Sequence, residues 1–297
     1  MNKLKILIFG GSGLVGSRFV ELYEEHFDLI VPAEAEVDLL NKEQLKDSVL
    51  KSDTDIILNF AAFTDVGKAE VEKGDQTGLV YKLNALAVKN LADLCKDLAK
   101  HLVQISTEYV FGGDKSGGLY NEKDEPKPIN WYGQTKYFGE EFVQNSGCFY
   151  TIIRISMPYR AQFEGKKDLA RTFLEMLQEG REIFGCTDVI NTPTFIDDIA
   201  QGLKLILEKE PGGILHIASV DSISPYNFAR SIAEKFNLNE TLVKPITFEE
   251  FIKGRPAALL KNSGLDSLKF RKEFSKEILH TVDEGLKIFQ KQVDVLI

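Results

Sequence analysis

The amino-terminal segment joins a short apolar run, a glycine-rich turn and a helical stretch. The apolar run at residues 4–9 is rich in strand formers, and a helical pattern follows the turn to about His26. Glycine lets the backbone turn tightly and approach a pyrophosphate, and a helix N-terminus favours negative charge. This order is typical of a dinucleotide-binding start, although a strand–helix turn that binds nothing is the alternative. The pattern reads as Gly11-x-Gly13-x-x-Gly16 or as Gly10-x-x-Gly13-x-x-Gly16.

The position expected to hold the adenosine ribose does not identify the cofactor. A second strand is predicted at residues 29–32, and dinucleotide folds usually place an acid or an arginine just beyond it. Here Ala33 follows, then Glu34 and Glu36, and no arginine is present. The residues therefore leave NADH and NADPH open. Asp38 and Leu39 lie slightly further on, where they either border the adenine or cap a helix at residues 41–50.

Composition excludes several classes of function. The 297 residues are 43% apolar and 27% charged, with a formal charge of −9, which argues against a nucleic-acid surface. No apolar run is long enough to span a bilayer, and residues 1–3 leave no room for a signal peptide before the first strand. Three scattered cysteines and four histidines without ligand-like spacing predict a cytoplasmic chain with no metal site.

Strands and helices alternate through the first half of the chain. Strands are predicted at residues 55–59, 102–106 and 150–155, and helices at residues 80–98 and 132–144. This alternation predicts an α/β fold, a Rossmann-like doubly wound parallel sheet with helices on both faces. Ligands bind such sheets at the carboxyl ends of the strands.

The second half predicts a smaller α/β lobe that would bind substrate. The domains are expected at residues 1–155, which also receive part of about 183–210, and at residues 156–297, interleaved with the first. Helices are predicted at residues 169–179, 196–208, 226–236 and 282–292, with a short strand at 213–217.

Tyr132 and Lys136 are spaced to lie on one face of a helix, because positions i and i+4 are neighbours on a helix surface. A tyrosine ordinarily has a pKa of about 10. A nearby cation favours the phenolate, so we expect Lys136 to lower the pKa of Tyr132. The same spacing also occurs by chance on many surface helices.

Two hydroxyl residues, Ser106 and Thr107, lie at the end of the predicted strand 102–106. A hydroxyl there can hydrogen-bond a substrate carbonyl, which together with Tyr132 and Lys136 indicates hydride addition to a ketone with proton delivery to the developing alkoxide. In this hypothesis Thr107 positions the oxygen, Tyr132 donates the proton, and Lys136 also holds the nicotinamide ribose. The preference of threonine for strands is the simpler explanation of Thr107 taken alone.

These motifs together resemble the extended short-chain dehydrogenase/reductase family, and most closely its dTDP-4-dehydrorhamnose reductase branch. The resemblance covers most of the chain. It rests on residues 10–16, 59–70, 106–111, 132–136, 154–159, 191–194 and 254–256. It implies a Rossmann fold, NADPH or NADH as cofactor, and reduction at C4 of a nucleotide-linked 4-keto-6-deoxy sugar, most directly dTDP-4-dehydrorhamnose to dTDP-L-rhamnose.

The resemblance also implies roles for individual residues. The pyrophosphate would lie against Gly13, Leu14 and Val15, and the adenine near Asp38 and Leu39. The cofactor ribose and phosphates would lie near Ala61, Ala62, Phe63 and Thr64, and the sugar would contact Thr107, Glu108, Met157 and Arg255.

Departures from the family pattern concern the sugar pocket. The family usually has Asp where this chain has Glu108, Trp where it has Met157, and an acid where it has Gly67. The Asn-Ser pair of the family lies further beyond residues 255–256 than usual, at residues 262–263. Another nucleotide-sugar ketoreductase or epimerase is therefore a second hypothesis. A third is a non-catalytic NADP-binding subunit, because the regulatory subunit of methionine adenosyltransferase resembles the same branch. The chain is expected to be a monomer or homodimer, without nucleic-acid or membrane partners.

Overall fold

A computed structural model of the chain describes residues 3–275 and 277–296. The strands within these ranges are short, and those of the first half alternate with helices. They are β1 (Lys5–Phe9), β2 (Asp28–Ile30), β3 (Ile56–Asn59), β4 (His101–Thr107), β5 (Phe149–Ile155), β6 (Pro158–Tyr159), β7 (Ile183–Cys186), β8 (Thr194–Phe195), β9 (Gly213–Ile217) and β10 (Val243–Ile246).

The helices differ widely in length, and the short ones are concentrated in the loops that follow strands. They are α1 (Leu14–Tyr23), α2 (Lys42–Ser52), α3 (Val66–Ala69), α4 (Leu79–Tyr81), α5 (Ala87–Asp97), α6 (Trp131–Ser146), α7 (Leu169–Gln178), α8 (Ile196–Lys209), α9 (Pro225–Lys235), α10 (Phe248–Ile252), α11 (Leu268–Glu273) and α12 (Val282–Leu296).

Six strands form the central sheet within residues 3–275 and 277–296, in the order β2-β1-β3-β4-β5-β9. The pairs β1–β2, β1–β3 and β3–β4 are parallel. Ile6 of β1 is paired with Leu29 of β2 on one side and with Ile56 of β3 on the other. Because β2 and β3 lie on opposite sides of β1, the winding reverses there, and ligands bind α/β sheets at the carboxyl ends beside such a reversal. The predicted Rossmann-like α/β class is confirmed.

The chain divides into two compact units. Unit 1 contains residues 1–111, 125–154 and 203–215, and unit 2 contains residues 112–124, 155–202 and 216–297. The predicted first domain was 1–155 with part of 183–210. In the structure the returning segment is 203–215, and the glycine-containing loop at 112–124 belongs to unit 2.

Unit 1 has an apolar core between its sheet and helices. Alternate residues of the strands, such as Leu7, Ile57 and Leu102, pack with Leu91 of α5 and Val143 of α6. The core holds the carboxyl ends of β1, β3 and β4 in fixed register, and the residues that follow these strands are those predicted to bind ligands.

The predicted helix at 80–98 is present, but it is not α-helical throughout. Between α4 and α5 the turn at residues 82–86 is π-helical, so the helix carries an extra residue at that point. Such bulges are often found at functional sites. The bulge contains Asn84, whose side chain makes contacts described below.

Unit 2 is built around aromatic side chains and two small parallel sheets, β6–β8 and β7–β10. The ring of Tyr159 lies 5.7–5.8 Å, centroid to centroid, from those of Phe195, Phe228 and Phe289. The predicted helices of this half are present, with shifts of a few residues at their ends. Within the described part of the chain, no helix has the length and apolar character needed to cross a membrane.

Candidate active site

The glycine turn between β1 and α1 leaves no room for a side chain at Gly10 or Gly16. Gly10 has a φ of +73°, a conformation that favours glycine. A Cβ atom on Gly16 would lie 2.5 Å from the carbonyl oxygen of Gly10, and one on Gly10 would lie 2.4 Å from the backbone nitrogen of Ala61. The turn is therefore packed directly against the end of β3.

This turn fits the pyrophosphate of a dinucleotide. The first turn of α1, which begins with Leu14 and Val15, contains no acidic side chain. A helix N-terminus of this kind favours a bound anion, and the glycines let the backbone come close to it.

The segment after β3 is fixed by the π-helical bulge. The Oδ1 atom of Asn84 accepts a hydrogen bond from the backbone N–H of Phe63 at 2.8 Å, and its Nδ2 donates to the carbonyl of Phe63 at 3.1 Å. Ala61 and Ala62 precede this contact and are half-buried, whereas Thr64 is exposed.

Asp38 and Leu39 occupy a turn before α2. Asp38 is exposed and accepts a hydrogen bond from the N–H of Leu40, while Leu39 is buried and its carbonyl accepts from Asn90. The alternative that Asp38 caps α2 is wrong, because Asn41 caps it by accepting from the backbone at positions 43 and 44. Contact of Asp38 and Leu39 with adenine stays a prediction.

The end of β4 and the start of α6 bring the predicted catalytic residues together. Thr107 is the last residue of β4 and donates its hydroxyl to Oε2 of Glu108 at 2.7 Å. A side-chain hydrogen bond also links Thr107 to Tyr132. All three side chains are buried.

Tyr132 does not have the acidified phenol that the sequence predicted. Burial, reinforced by the negative charge of Glu108, raises the pKa of Tyr132 well above its ordinary value, although the hydrogen bond with Thr107 opposes this. The expected lowering by Lys136 is wrong because the Lys136 ammonium is directed elsewhere. Its Nζ donates to the carbonyl of Ile105 at 2.8 Å. Tyr132 is consequently protonated at neutral pH, as a proton donor must be.

Lys136 is itself perturbed by its surroundings. Burial lowers the pKa of Lys136 to about 8, and the carboxylate of Glu140, one helical turn further along α6, opposes this shift. The charge on Lys136 therefore titrates close to neutral pH.

Glu140 links three elements beneath these residues. Its carboxylate accepts two hydrogen bonds from Arg154 of β5, at 3.0 and 2.6 Å, and one from the hydroxyl of Ser106 of β4, at 2.5 Å. Both charged side chains are almost completely buried, and the guanidinium of Arg154 stacks on Phe111. Ser106 lies in β4 and Glu140 lies in α6, so the network fixes β4 against α6. It does so at the residue that directly precedes Thr107.

The first turn of α6 is held closely against the segment after β4. Asn130 caps the helix by accepting from the N–H of Gly133 at 2.8 Å. A Cβ atom on Gly133 would lie 2.1 Å from the carbonyl oxygen of Tyr109, so only glycine permits this approach. The rings of Tyr109 and Tyr132 pack edge to face, 5.5 Å apart.

Two predicted substrate residues belong to unit 2. Met157 follows β5 with a φ of +42°, which is unusual for a residue other than glycine, and its carbonyl accepts from the N–H of Thr194. Arg255 is exposed, and its guanidinium lies 3.9 Å above the ring of Phe251. Within the described ranges, no group of three His, Cys, Asp or Glu side chains could hold a metal ion.

Comparison with known proteins places the chain in a family. Residues 4–294 match the model of the RmlD substrate binding domain. The chain belongs to this family. The resemblance to dTDP-4-dehydrorhamnose reductases is thereby confirmed.

Relatives of this RmlD-family chain include reductases of bacteria and archaea. The dTDP-4-dehydrorhamnose reductase of Aggregatibacter actinomycetemcomitans is 30% identical, with 91% of this chain and 93% of the relative covered. A probable low-salt glycan biosynthesis reductase, Agl14, of Haloferax volcanii is 29% identical, with 87% and 88% covered. The crystal structure of dTDP-4-dehydrorhamnose reductase from Bacillus anthracis in complex with NADP is 31% identical, with a TM-score of 0.88 over 98% of this chain and 100% of that chain.

Sequence reasoning missed two residues that support the RmlD-family site. The i+4 spacing from Lys136 to Glu140 was a usable signal, since it repeats the spacing that singled out Tyr132 and Lys136. No local pattern identified Asn84, because its role depends on a helical bulge and on a partner, Phe63, that comes 21 residues earlier in the chain.

Proposed function

We propose that this protein uses NADPH or NADH to reduce the C4 ketone of a nucleotide-linked 4-keto-6-deoxy sugar, most directly dTDP-4-dehydrorhamnose to dTDP-L-rhamnose. The observation that carries the proposal is the grouping of Thr107, Tyr132 and Lys136 in the same compact unit as a glycine turn that fits a dinucleotide. Relatives named dTDP-4-dehydrorhamnose reductase support the choice of substrate.

The reaction requires one hydride and one proton. The reduced nicotinamide, when bound, supplies the hydride to the C4 carbon, and the carbonyl oxygen then needs a proton to become an alcohol. Tyr132 is the proposed donor, because its raised pKa keeps the phenol protonated until an alkoxide develops beside it.

Thr107 and Glu108 are proposed to orient the carbonyl oxygen. The Thr107 hydroxyl has one proton, which it donates to Glu108 in this structure. Rotation of that hydroxyl toward the substrate oxygen would give the developing alkoxide a second hydrogen-bond donor, and such donors contribute strongly in a buried site. Glu108 then remains available to a sugar hydroxyl.

Lys136 is proposed to support Tyr132 and to hold the cofactor ribose. Its buried ammonium lies one helical turn from Tyr132, and its bond to the Ile105 carbonyl restrains the chain. A positive charge at this position stabilises the negative charge that Tyr132 acquires after giving up its proton.

The remaining cofactor contacts are proposed from their place at the carboxyl ends of β1 and β3. Gly10, Gly13, Leu14, Val15 and Gly16 would hold the pyrophosphate. Asp38 and Leu39 would border the adenine, and the ribose and phosphates would contact Ala61, Ala62, Phe63 and Thr64.

Met157 and Arg255 are the proposed substrate contacts of unit 2. We place the reaction in the cytoplasm, in a monomer or homodimer. The free buried cysteines Cys95, Cys148 and Cys186 suit a reducing compartment.

A second candidate is reduction of a different nucleotide-linked keto sugar. Met157 and Gly67 depart from the usual family pattern, and a relative in Haloferax volcanii is named for glycan biosynthesis. The chemistry at Tyr132 would be unchanged.

The test is to mix the purified protein with NADPH or NADH and dTDP-4-keto-6-deoxy-L-mannose, and to follow absorbance of the reduced nicotinamide. Stoichiometric oxidation with formation of dTDP-L-rhamnose is expected. Oxidation only with another nucleotide-linked keto sugar would favour the second candidate. Cofactor binding without oxidation of the nicotinamide by either sugar would contradict the proposal and favour a regulatory subunit.

A further inference from the structure

An acidic side chain from a distant segment contacts the start of the catalytic helix. The Oε2 atom of Glu70 accepts a hydrogen bond from the backbone N–H of Trp131 at 2.9 Å. Its Oε1 accepts from Nζ of Lys73 at 2.6 Å, and the Glu70 side chain is 10% exposed. Trp131 is the first residue of α6 and Tyr132 is the second, so the contact lies one peptide from the proposed proton donor.

This contact is favourable for two physical reasons. The first N–H groups of a helix have no partner within the helix, so an external acceptor satisfies one of them. A carboxylate also interacts well with the positive end of the helix dipole, and its hydrogen bonds are stronger than those of a neutral acceptor. Glu70 therefore complements the Asn130 cap, which binds the N–H of Gly133 in the same turn.

The segment that carries Glu70 is also the proposed cofactor-binding segment. It leaves β3, passes Phe63 and enters α3, which Asp65 caps by accepting from the N–H of Lys68. The last residue of α3, Ala69, packs in a small apolar cluster with Trp131 and Tyr132.

The same segment is joined to α6 at a second place. Asn84 binds both backbone groups of Phe63, and its Nδ2 also lies 3.1 Å from the hydroxyl of Thr135. Thr135 and Trp131 are four residues apart and share one side of α6. Residues 63–70 are thus joined to α6 at one residue before Tyr132, which is Trp131, and, through Asn84, at one residue after it, which is Thr135.

We propose that Glu70 is a positioning residue: its bond to Trp131 fixes the first turn of α6, so that Tyr132 is aligned with the ketone while residues 61–64 hold the cofactor. This inference rests on the proposed reductase function. Glu70 itself touches neither substrate nor cofactor in this account.

Glu72 provides a matched control. Its Oε2 accepts from the N–H of Val80 at 2.8 Å, which is the same kind of contact at the start of a different helical segment. Loss of either carboxylate removes one bond at a helix N-terminus, but the Glu72 bond is made to α4, whereas the Glu70 bond is made directly to α6.

The test compares Glu70→Ala, Glu70→Gln and Glu72→Ala by steady-state kinetics. We expect Glu70→Ala to lower kcat by roughly tenfold to a hundredfold with little change in the Kd of the cofactor, because small misplacement of a catalytic group has effects of that order. Glu70→Gln keeps an acceptor and should recover kcat to within about threefold. Glu72→Ala should retain wild-type kcat.

A second readout does not depend on turnover. Trp131 is the only tryptophan in the chain and is buried. Its fluorescence therefore reports on the first turn of α6. We expect Glu70→Ala to shift the emission to longer wavelength and to increase quenching by acrylamide, and Glu72→Ala and Glu70→Gln to leave both near wild type.

The two readouts separate the two proposals. If wild-type protein oxidises no cofactor with any keto sugar, the proposed function fails, and the Trp131 emission alone decides whether Glu70 holds α6. If Glu70→Ala keeps both wild-type kcat and wild-type emission, the positioning role is overturned. A loss of kcat that Glu70→Gln does not recover would also overturn it.

Discussion

The catalytic tyrosine and lysine illustrate how burial changes what a residue can do. A cation beside a phenol favours the phenolate, but the Lys136 ammonium is directed to the carbonyl of Ile105. Burial and the charge of Glu108 raise the pKa of Tyr132, opposed by the hydrogen bond with Thr107. The result suits reduction, because a phenol that remains protonated at neutral pH can give its proton to an alkoxide. The motif predicted the identity of the residues, whereas their protonation states depended on neighbours that only the fold supplies.

The first prediction concerns pH. Burial lowers the pKa of Lys136 to about 8, so the lysine is charged below that pH and loses its charge above it. Tyr132 remains protonated throughout this range. We therefore expect kcat/KM for ketone reduction to be level below about pH 8 and to fall above it. Glu140 raises the pKa of Lys136, so Glu140→Gln should move the falling limb to lower pH.

The control for this prediction is Glu141→Gln, which removes the next carboxylate along α6 and leaves in place Glu140, the carboxylate that raises the pKa of Lys136. It should leave the pH profile unchanged. If the fall of kcat/KM at high pH occurred at the same pH in Glu140→Gln as in the wild type, the assignment of that fall to loss of the Lys136 charge would be contradicted.

The second prediction concerns Thr107. Thr107→Val keeps the shape of the side chain but removes the hydroxyl, so kcat should fall by about 10²–10³-fold, as when one alkoxide-stabilising donor is removed. Thr107→Ser retains the hydroxyl and should keep most of the activity. Absorbance of the reduced nicotinamide measures both variants, and a Val variant with more than about a tenth of wild-type kcat would count against the role.

At the scale of elements, the glycine turn was the most predictable feature. Its order of strand, turn and helix follows from local sequence, and so do the alternating strands and helices of unit 1. The π-helical bulge at residues 82–86 could not be predicted, because no local pattern marks it and its Asn84 bonds a segment 21 residues earlier in the chain. The Glu70–Trp131 bond was unpredictable for the same reason, since it joins residues 61 positions apart.

The third prediction tests the turn itself. Gly16→Ala places a Cβ atom 2.5 Å from the Gly10 carbonyl oxygen, so the turn must shift. Overpacking of this size costs about 1–3 kcal/mol, and we expect cofactor affinity measured by calorimetry to fall by roughly tenfold to a hundredfold. Gly67→Ala is the control, because its Cβ would meet nothing closer than 3.6 Å. Equal affinities in the two variants would refute the close approach.

The fourth prediction concerns the buried pair that joins α6 to β5. Arg154→Met leaves the Glu140 carboxylate buried without its cation, so the free energy of unfolding in urea should fall by about 3–5 kcal/mol. The control is Arg230→Met, which breaks an exposed, solvent-screened ion pair with Glu240 and should lower the free energy of unfolding far less. A similar small loss in both variants would show that the buried pair contributes little.

For the whole molecule, family membership and local chemistry agree on a reductase of nucleotide-linked sugars. The chain carries a net charge of −9, yet its proposed ligands are anionic. The start of α1, with no acid in its first turn, reduces that conflict where the pyrophosphate would bind. The net negative charge predicts that the chain has no nucleic-acid surface. The identity of the sugar is proposed to depend on residues of unit 2 such as Met157, and the type of residue at such a position does not by itself predict which sugar is bound.

The most direct test of this account is the single-turnover rate of hydride transfer to the keto sugar in Tyr132→Phe, with cofactor affinity measured in parallel. Tyr109→Phe is the control, because Tyr109 is a neighbouring aromatic residue packed against Tyr132. We predict at least about a hundredfold loss of rate in Tyr132→Phe with nearly unchanged cofactor affinity, and near wild-type rate in Tyr109→Phe. A Tyr132→Phe variant that keeps more than about a tenth of the wild-type rate would contradict the central claim that Tyr132 donates the proton.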